Sequence, residues 1–188
     1  MKRSLSFLAL SLLAILLTGG YFFFAANGPV PAKAQAVEQK NDPLAPEVRF
    51  DTLVIEKQKR LLTAYVQGKP VRVYRVALGG SPVGPKRVQG DEKTPEGTYR
   101  VDGKNPHSRY YKNLGVSYPN AEDRKRAASL GKSPGGDIKI HGLGPEFRHL
   151  GKEQWQYDWT LGCIAVTDAE IDELYAHTNV GAVIEILP

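Results

Sequence analysis

The sequence predicts a β-dominated α+β domain with few helices, and three observations carry that expectation. Short runs rich in Val, Ile, Leu, Thr and Tyr recur through residues 47–188, separated by Gly, Pro and Asn clusters. Only two segments combine a helix-capping signal with a helical stretch behind it. The region is the size of one ordinary domain, large enough to bury its own core, and carries no internal repeat.

The elements follow in order. Asp51 to Glu56 alternates, with Leu53 and Ile55 on one side, as a half-buried strand does. Leu61 to Val66 and Val71 to Leu78 flank Gln67-Gly68-Lys69-Pro70, a connection of hairpin type. Gly79-Gly80-Ser81-Pro82 and Gly84-Pro85 break the pattern, and the turn Thr94-Pro95-Glu96-Gly97 leads into a strand over Thr98 to Val101. Asp102 to Gly136, rich in Gly, Pro, Asn and Ser, is expected to be a long irregular segment carrying one helix, Ala121 to Leu130, capped by Asn120. Asp137 to His141 is a short strand, and Leu143 to Trp159 is a loop that returns to a strand over Ile164 to Val166. Thr167 and Glu170 form a capping box for a helix over Asp168 to His177, with Ile171 and Leu174 inward. Ala182 to Leu187 closes the domain as the last strand.

The first 46 residues have another character. Lys2 and Arg3 precede an apolar stretch from Leu5 to Ala26 of 22 residues, followed by Ala32-Lys33-Ala34 and Ala34-Gln35-Ala36, both of the Ala-x-Ala cleavage type. Residues 1–27 therefore read as an export signal, either cleaved or retained as a membrane anchor, which directs the rest of the chain to the periplasm or envelope. Residues 28–46, rich in Pro, Ala, Gln, Glu and Lys, read as a flexible tether. Contact with a membrane is expected only through the N-terminal segment.

The formal net charge is +5, and between Lys86 and Lys152 fourteen Lys and Arg stand against eight Asp and Glu. On an exported protein such a surface suits an anionic envelope polymer or lipid head groups, though an ordinary solvated surface accounts for it equally well. No arginine-rich tail or nucleic-acid-binding signature is present, so nucleic acid is not an expected partner. One cysteine and scattered histidines offer no metal-ligand spacing, and no cofactor is expected.

The one cysteine, Cys163, holds the most information. In an oxidising compartment an unpaired thiol is a liability, so it reads as an intermolecular link or a nucleophile. A nucleophilic cysteine needs a base or a positive field, and a depressed pKa is the corresponding expectation. His141 ends the apolar strand Ile138-Lys139-Ile140 before Gly142; Cys163 opens Ile164-Ala165-Val166 after Gly162. Two such strands can bring imidazole and thiol together, and the N–H groups of Leu161, Gly162 and Cys163 form a candidate oxyanion site.

With these residues in view, the chain resembles the L,D-transpeptidase catalytic (YkuD-type) family of peptidoglycan enzymes. The resemblance rests on His141-Gly142 and Thr160-Leu161-Gly162-Cys163. It extends to Leu78-Gly79, Gly84-Pro85-Lys86, Gly90-Asp91, Thr94-Pro95-Glu96-Gly97-Thr98-Tyr99, Ser117-Tyr118-Pro119 and Gly135-Gly136-Asp137. It implies a YkuD-like β-sheet or sandwich-type fold for residues 47–188 and a cysteine acyltransferase of the bacterial cell wall, with a part in wall organisation and cell shape. Cys163 would attack a stem-peptide carbonyl and release the terminal D-alanine. His141 would shuttle the proton, and the Gly142 carbonyl would fix its tautomer. Acyl acceptors implied are an amine on another stem peptide or on an envelope lipoprotein; with water instead the protein would be a hydrolase or amidase. Many members carry His where this chain has Leu161, and Asn or Arg where it has Ala165. The string from Gly162 to Asp168 also resembles a branch that includes an amidase detaching lipoprotein from peptidoglycan.

Other candidates are weighed against plainer roles. Thr160 either donates a hydrogen bond within the site or shapes the turn. Arg148 and Lys139 are candidates to meet a stem-peptide carboxylate, against the usual solvated fate of such side chains. Ser108, Tyr110 and Tyr111 are candidates for a flap over the substrate. Trp155, Tyr157 and Trp159 either wall a groove or form local core. His107, His149 and His177 read as structural, and a non-catalytic peptidoglycan-binding module on the same scaffold is the alternative to an enzyme.

Overall fold

A computed structural model describes residues 42–188; the expected leader 1–27 and the tether as far as residue 41 lie outside the described residues. At the start of the described chain Leu44 packs on the core and the Asp42 carbonyl accepts from the Arg72 guanidinium. Among the described residues no helix is long and apolar enough to cross a membrane.

Among the described residues eight strands form one mixed sheet: β1 (Phe50–Glu56), β2 (Leu61–Val66), β3 (Lys69–Arg75), β4 (Gly97–Ser108), β5 (Tyr111–Val116), β6 (Lys139–His141), β7 (Ile164–Ala165) and β8 (Thr178–Leu187). Their order is β3-β2-β1-β8-β4-β5-β6-β7, with β1–β8 and β6–β7 parallel. Alternation explains the elements: Leu53 and Ile55 of β1, Leu62 of β2 and Ile184 of β8 are fully buried. At the usual yield for removing apolar surface from water, each such side chain contributes about 2 kcal/mol.

Two strands depart from expectation. The strand expected over Val71 to Leu78 ends at Arg75, where the chain leaves β2. Val76, Ala77 and Leu78 remain fully buried, because they cross to the far end of the sheet. Ala77 pairs with Ala165 and Gly79 with Thr160. The bridge segment therefore joins the β3 side to β7 and curls the sheet back on itself.

The segment from Asp102 to Gly136, expected to be irregular, instead contains the end of β4 and all of β5, paired as a hairpin. Register shifts between Val101 and Lys104 and between Asn105 and Ser108 obscure the alternation that would have revealed it. Among the described residues three α-helices accompany the sheet: α1 (Ala121–Ser129), α2 (Gly144–Phe147) and α3 (Asp168–His177). Of the three starts, only that of α2 lacks a side-chain cap. Both α1 and α3 open on complete capping boxes, Asn120 with Asp123 and Thr167 with Glu170, each cap being worth about 1 kcal/mol. The expected loop Leu143 to Trp159 contains α2 and two 3-10 turns within Arg148–Gln156 that meet at a kink at Gly151, and it ends with Trp159 against His141 of β6.

Candidate functional site

His141 is placed by backbone alone. β6 lies between β5 and β7, with Asn113 and Ala165 as the register partners of His141, and its carbonyl accepts from Val166 N at 2.9 Å. Its Nδ1 lies 2.6 Å from the Gly142 carbonyl. A carbonyl can only accept, so Nδ1 carries the proton and Nε2 is left with its lone pair. The ring is 2 % exposed, stacked on Tyr110 with centroids 4.6 Å apart and met edge-on by Trp159 at 5.7 Å. Burial pushes its pKa down to about 4, outweighing the Gly142 hydrogen bond, so the imidazole is neutral at ordinary pH.

Gly142 must be small. A Cβ there would lie 2.6 Å from Asp168 Oδ1 and 3.1 Å from the Tyr110 carbonyl. Asp168 holds this corner, accepting from Leu143 N at 2.9 Å and from Arg148 Nε at 3.0 Å. Arg148, a candidate for the substrate carboxylate, is thus paired with a carboxylate of the chain itself.

Cys163 is placed by the turn before β7. Thr160 Oγ1 donates to the Cys163 carbonyl at 2.8 Å and accepts from Gly162 N at 3.1 Å. Upstream, Asp158 accepts from Arg60 Nε at 2.9 Å and from Leu78 N at 3.0 Å, anchoring the chain that enters the turn. Of the two roles considered for Thr160, shaping the turn is the one the bonds describe. The expected three-donor oxyanion site is corrected accordingly: Gly162 N–H is committed to Thr160. Among the described residues the N–H groups of Leu161 and Cys163 have no hydrogen-bond partner, and the Leu161 residue is 77 % exposed. Gly162 has φ +131°, and a Cβ there would meet the Lys93 carbonyl at 2.6 Å.

The Cys163 thiol, half-buried, donates to the Asp137 carbonyl at 3.5 Å. Burial pushes its pKa up, against the backbone N–H and charge of Lys139 and the more distant Lys86. The expected depression of this thiol is therefore overturned: the desolvation outweighs the favourable field. Because β6 and β7 pair Ile140 with Ile164 and His141 with Ala165, alternation sets Cys163 and His141 on the side opposite the buried Ile140 and Ile164. At rest both groups are neutral, the imidazole at the end of β6 and the thiol one residue before β7.

Lys139 contributes its backbone N–H to the sulfur, while its ammonium lies 3.5 Å from Asp137 Oδ1. Tyr111 turns away, its hydroxyl on Asp172 at 3.1 Å. Its neighbour Tyr110 is the residue the site uses, at the tip of the β4–β5 hairpin and against His141. Trp159 stacks on Phe147 at 4.0 Å. Its indole N–H is 3.3 Å from Gln154 Oε1, and Gln154 Nε2 donates to the Ala165 carbonyl at 3.1 Å. The aromatic cluster Trp155-Tyr157-Trp159 pointed to Trp159; nothing in the sequence distinguished Tyr110 from Tyr111.

The Thr-x-Gly-Cys turn and the His-Gly strand end thus lie at the same end of one curled mixed sheet. The chain belongs to the L,D-transpeptidase catalytic domain (YkuD) family, whose model matches residues 51–186. It is 33 % identical over 127 residues to YafK of Escherichia coli (strain K12), whose name assigns it provisionally to the L,D-transpeptidases; the match covers 64 % of this chain and 44 % of YafK. Its fold is similar to that of a point mutant of the helical cell shape determining protein Pgp2 from Campylobacter jejuni. That pair shares 25 % identity with a TM-score of 0.55, over 74 % of this chain and 47 % of that one. Bd1075 of Bdellovibrio bacteriovorus has the same fold at 21 % identity and a TM-score of 0.52, over 74 % and 48 %. The chain thus spans about half the length of these relatives.

Proposed function

We propose that the protein is an envelope cysteine acyltransferase acting on peptidoglycan stem peptides, an L,D-transpeptidase with Cys163 as nucleophile and His141 as general base. The observation that carries this reading is the Nδ1 contact of His141 with Gly142 at 2.6 Å, which leaves a neutral, unprotonated Nε2 at the end of the strand that pairs with β7, the strand the one thiol of the chain immediately precedes. With the thiol pKa raised and the imidazole pKa lowered, no resting ion pair forms. The proton instead leaves sulfur for Nε2 as the S–C bond forms at the donor carbonyl. The tetrahedral oxyanion is met by the free N–H groups of Leu161 and Cys163. Nε2–H then protonates the departing amine, the C–N bond breaks and a thioester remains. An acceptor amine attacks that thioester, gives its proton to Nε2, and the sulfur leaves and takes the proton back.

The reading extends to location and partners. An apolar leader, the family's substrate and a relative named for cell shape support an envelope enzyme acting outside the inner membrane, in the periplasm. The acceptor is an amine of a second stem peptide or of an envelope protein. Incubation of the purified chain with tetrapeptide muropeptides and an amine tests this: dimers or exchanged terminal residues are expected. Shortened peptides alone would assign water as the acceptor and reject transfer.

A further inference from the structure

The loop whose Lys93 carbonyl approaches Gly162 also lines a cleft that the acyl-transfer scheme leaves unused. It has a volume of about 450 Å³ and is lined by Arg87, Val88, Asp91, Lys93, Leu130 and Lys132. One wall is the loop that follows the bridge segment; the other is the end of α1 and the strand-free stretch behind it. The walls are tied together by Gln89 N donating to the Ser133 carbonyl at 2.8 Å and by the contact of Gly135 with Gln89. Both walls lead to Cys163. The Lys93 carbonyl presses on Gly162, and the second wall runs on to Asp137, whose carbonyl accepts from the thiol.

The charge of the cleft is one-sided. Its one carboxylate, Asp91, is consumed inside the loop: Oδ1 accepts from Lys86 Nζ at 2.8 Å and Lys93 N at 3.2 Å, and Oδ2 from Arg87 N at 2.7 Å and Val88 N at 3.0 Å. Three cations remain. Lys93 Nζ donates to the neutral Val83 carbonyl, and among the described residues none of Arg87, Lys93 and Lys132 is paired with a carboxylate. The apolar part of the lining includes Leu130, which is 51 % exposed. A cleft with three uncompensated cations and an apolar floor fits a short peptide that presents carboxylates on aliphatic arms.

We propose that this cleft binds the acyl-donor peptide through its free carboxylates, held by Arg87, Lys93 and Lys132. The assignment rests on Cys163 being the acyl-transfer nucleophile, since the donor is the ligand that must lie against Gly162 before acylation. Binding, not turnover, tests it. In the Cys163→Ala protein, calorimetry with a stem tetrapeptide and with the same peptide amidated at its carboxylates needs no change in the cleft. Amidation should weaken binding about tenfold, and Arg87→Gln with Lys132→Gln should cause a similar loss, because exposed charge contacts contribute modestly one by one. The double variant should no longer distinguish the two peptides, while reaction of a neutral alkylating agent with Cys163 stays unchanged in the variant that retains the thiol. Equal affinity for free and amidated peptide in the parent protein would overturn the proposal. Charge-dependent binding by a chain that never acylates Cys163 would instead uphold the cleft and refute the acyltransferase reading.

Discussion

The two ends of the sheet are built on different principles. In β1, β2 and β8, pairing runs in register over five or more residues, and stability comes from alternating apolar side chains such as Leu53, Ile55 and Ile184. In β6 and β7 only three and two residues pair, and position is set by single bonds: Thr160 on Gly162 and Cys163, Asp168 on Leu143, Gly142 on His141. The first end resists loss of any one contact, because many small ones share the burden. The second end has few substitutes for each contact, and there a small displacement of a reacting group is costly.

The sharpest way to break this contrast is to remove one functional group at each end. His141→Gln should lower turnover of tetrapeptide by about three orders of magnitude or more while thermal unfolding shifts little, read from steady-state rates and calorimetry. Loss of less than tenfold would mean that another base serves Cys163. Leu53→Ala should do the converse, costing about 2–5 kcal/mol of stability by leaving a cavity, with kcat/KM per folded molecule unchanged. A selective fall in kcat/KM would tie the regular end to the chemistry.

Gly162→Ala falls between these extremes. The added Cβ meets the Lys93 carbonyl, backbone that cannot rotate away, and the φ of +131° is unfavourable for any side chain. Activity should fall about a hundredfold through displacement of Cys163, with a moderate loss of stability. Thr160→Val should have a smaller effect, about 1–3 kcal/mol from the unsatisfied Gly162 N–H. Full activity and stability in that variant would show that the turn holds itself.

The remaining effect is in pH and leaves activity at neutral pH untouched. His141 titrates near 4 when folded and near its ordinary 6.5 when unfolded. Between those values the unfolded chain binds more protons, so stability rises with pH. The His141 contribution is complete above about pH 6.5 and disappears as pH falls through 4, by up to a few kcal/mol in urea unfolding. His141→Gln should flatten this slope; an unchanged slope would place the titration elsewhere.

Most of the regular end was legible in the sequence because alternation and capping are local: β1, β2, α3 with its capping box and the Asn120 cap of α1 follow from residues a few positions apart. The family was legible, and Cys163 and His141-Gly142 stood out as candidates, because a lone thiol and glycine-flanked strand ends are conspicuous. Three features were not. β5 is hidden by bulges, and the crossing of Val76 to Gly79 to β7 is a tertiary choice that no local pattern records. The sign of the Cys163 pKa shift depends on burial exceeding the Lys139 and Lys86 fields, which a linear motif does not contain. Tyr110 and Tyr111 are neighbours in sequence, and only the hairpin tip sends one to His141 and the other to Asp172.

In the proposed mechanism the acyl group passes through Cys163. Intact mass measured while the protein turns over a tetrapeptide donor without an acceptor tests it directly. The account predicts an adduct of the donor less its terminal D-alanine, mapped to Cys163, absent in Cys163→Ala, and discharged when an amine is added. Turnover by the Cys163→Ala protein at the parent rate, or an adduct on any other residue, would contradict it.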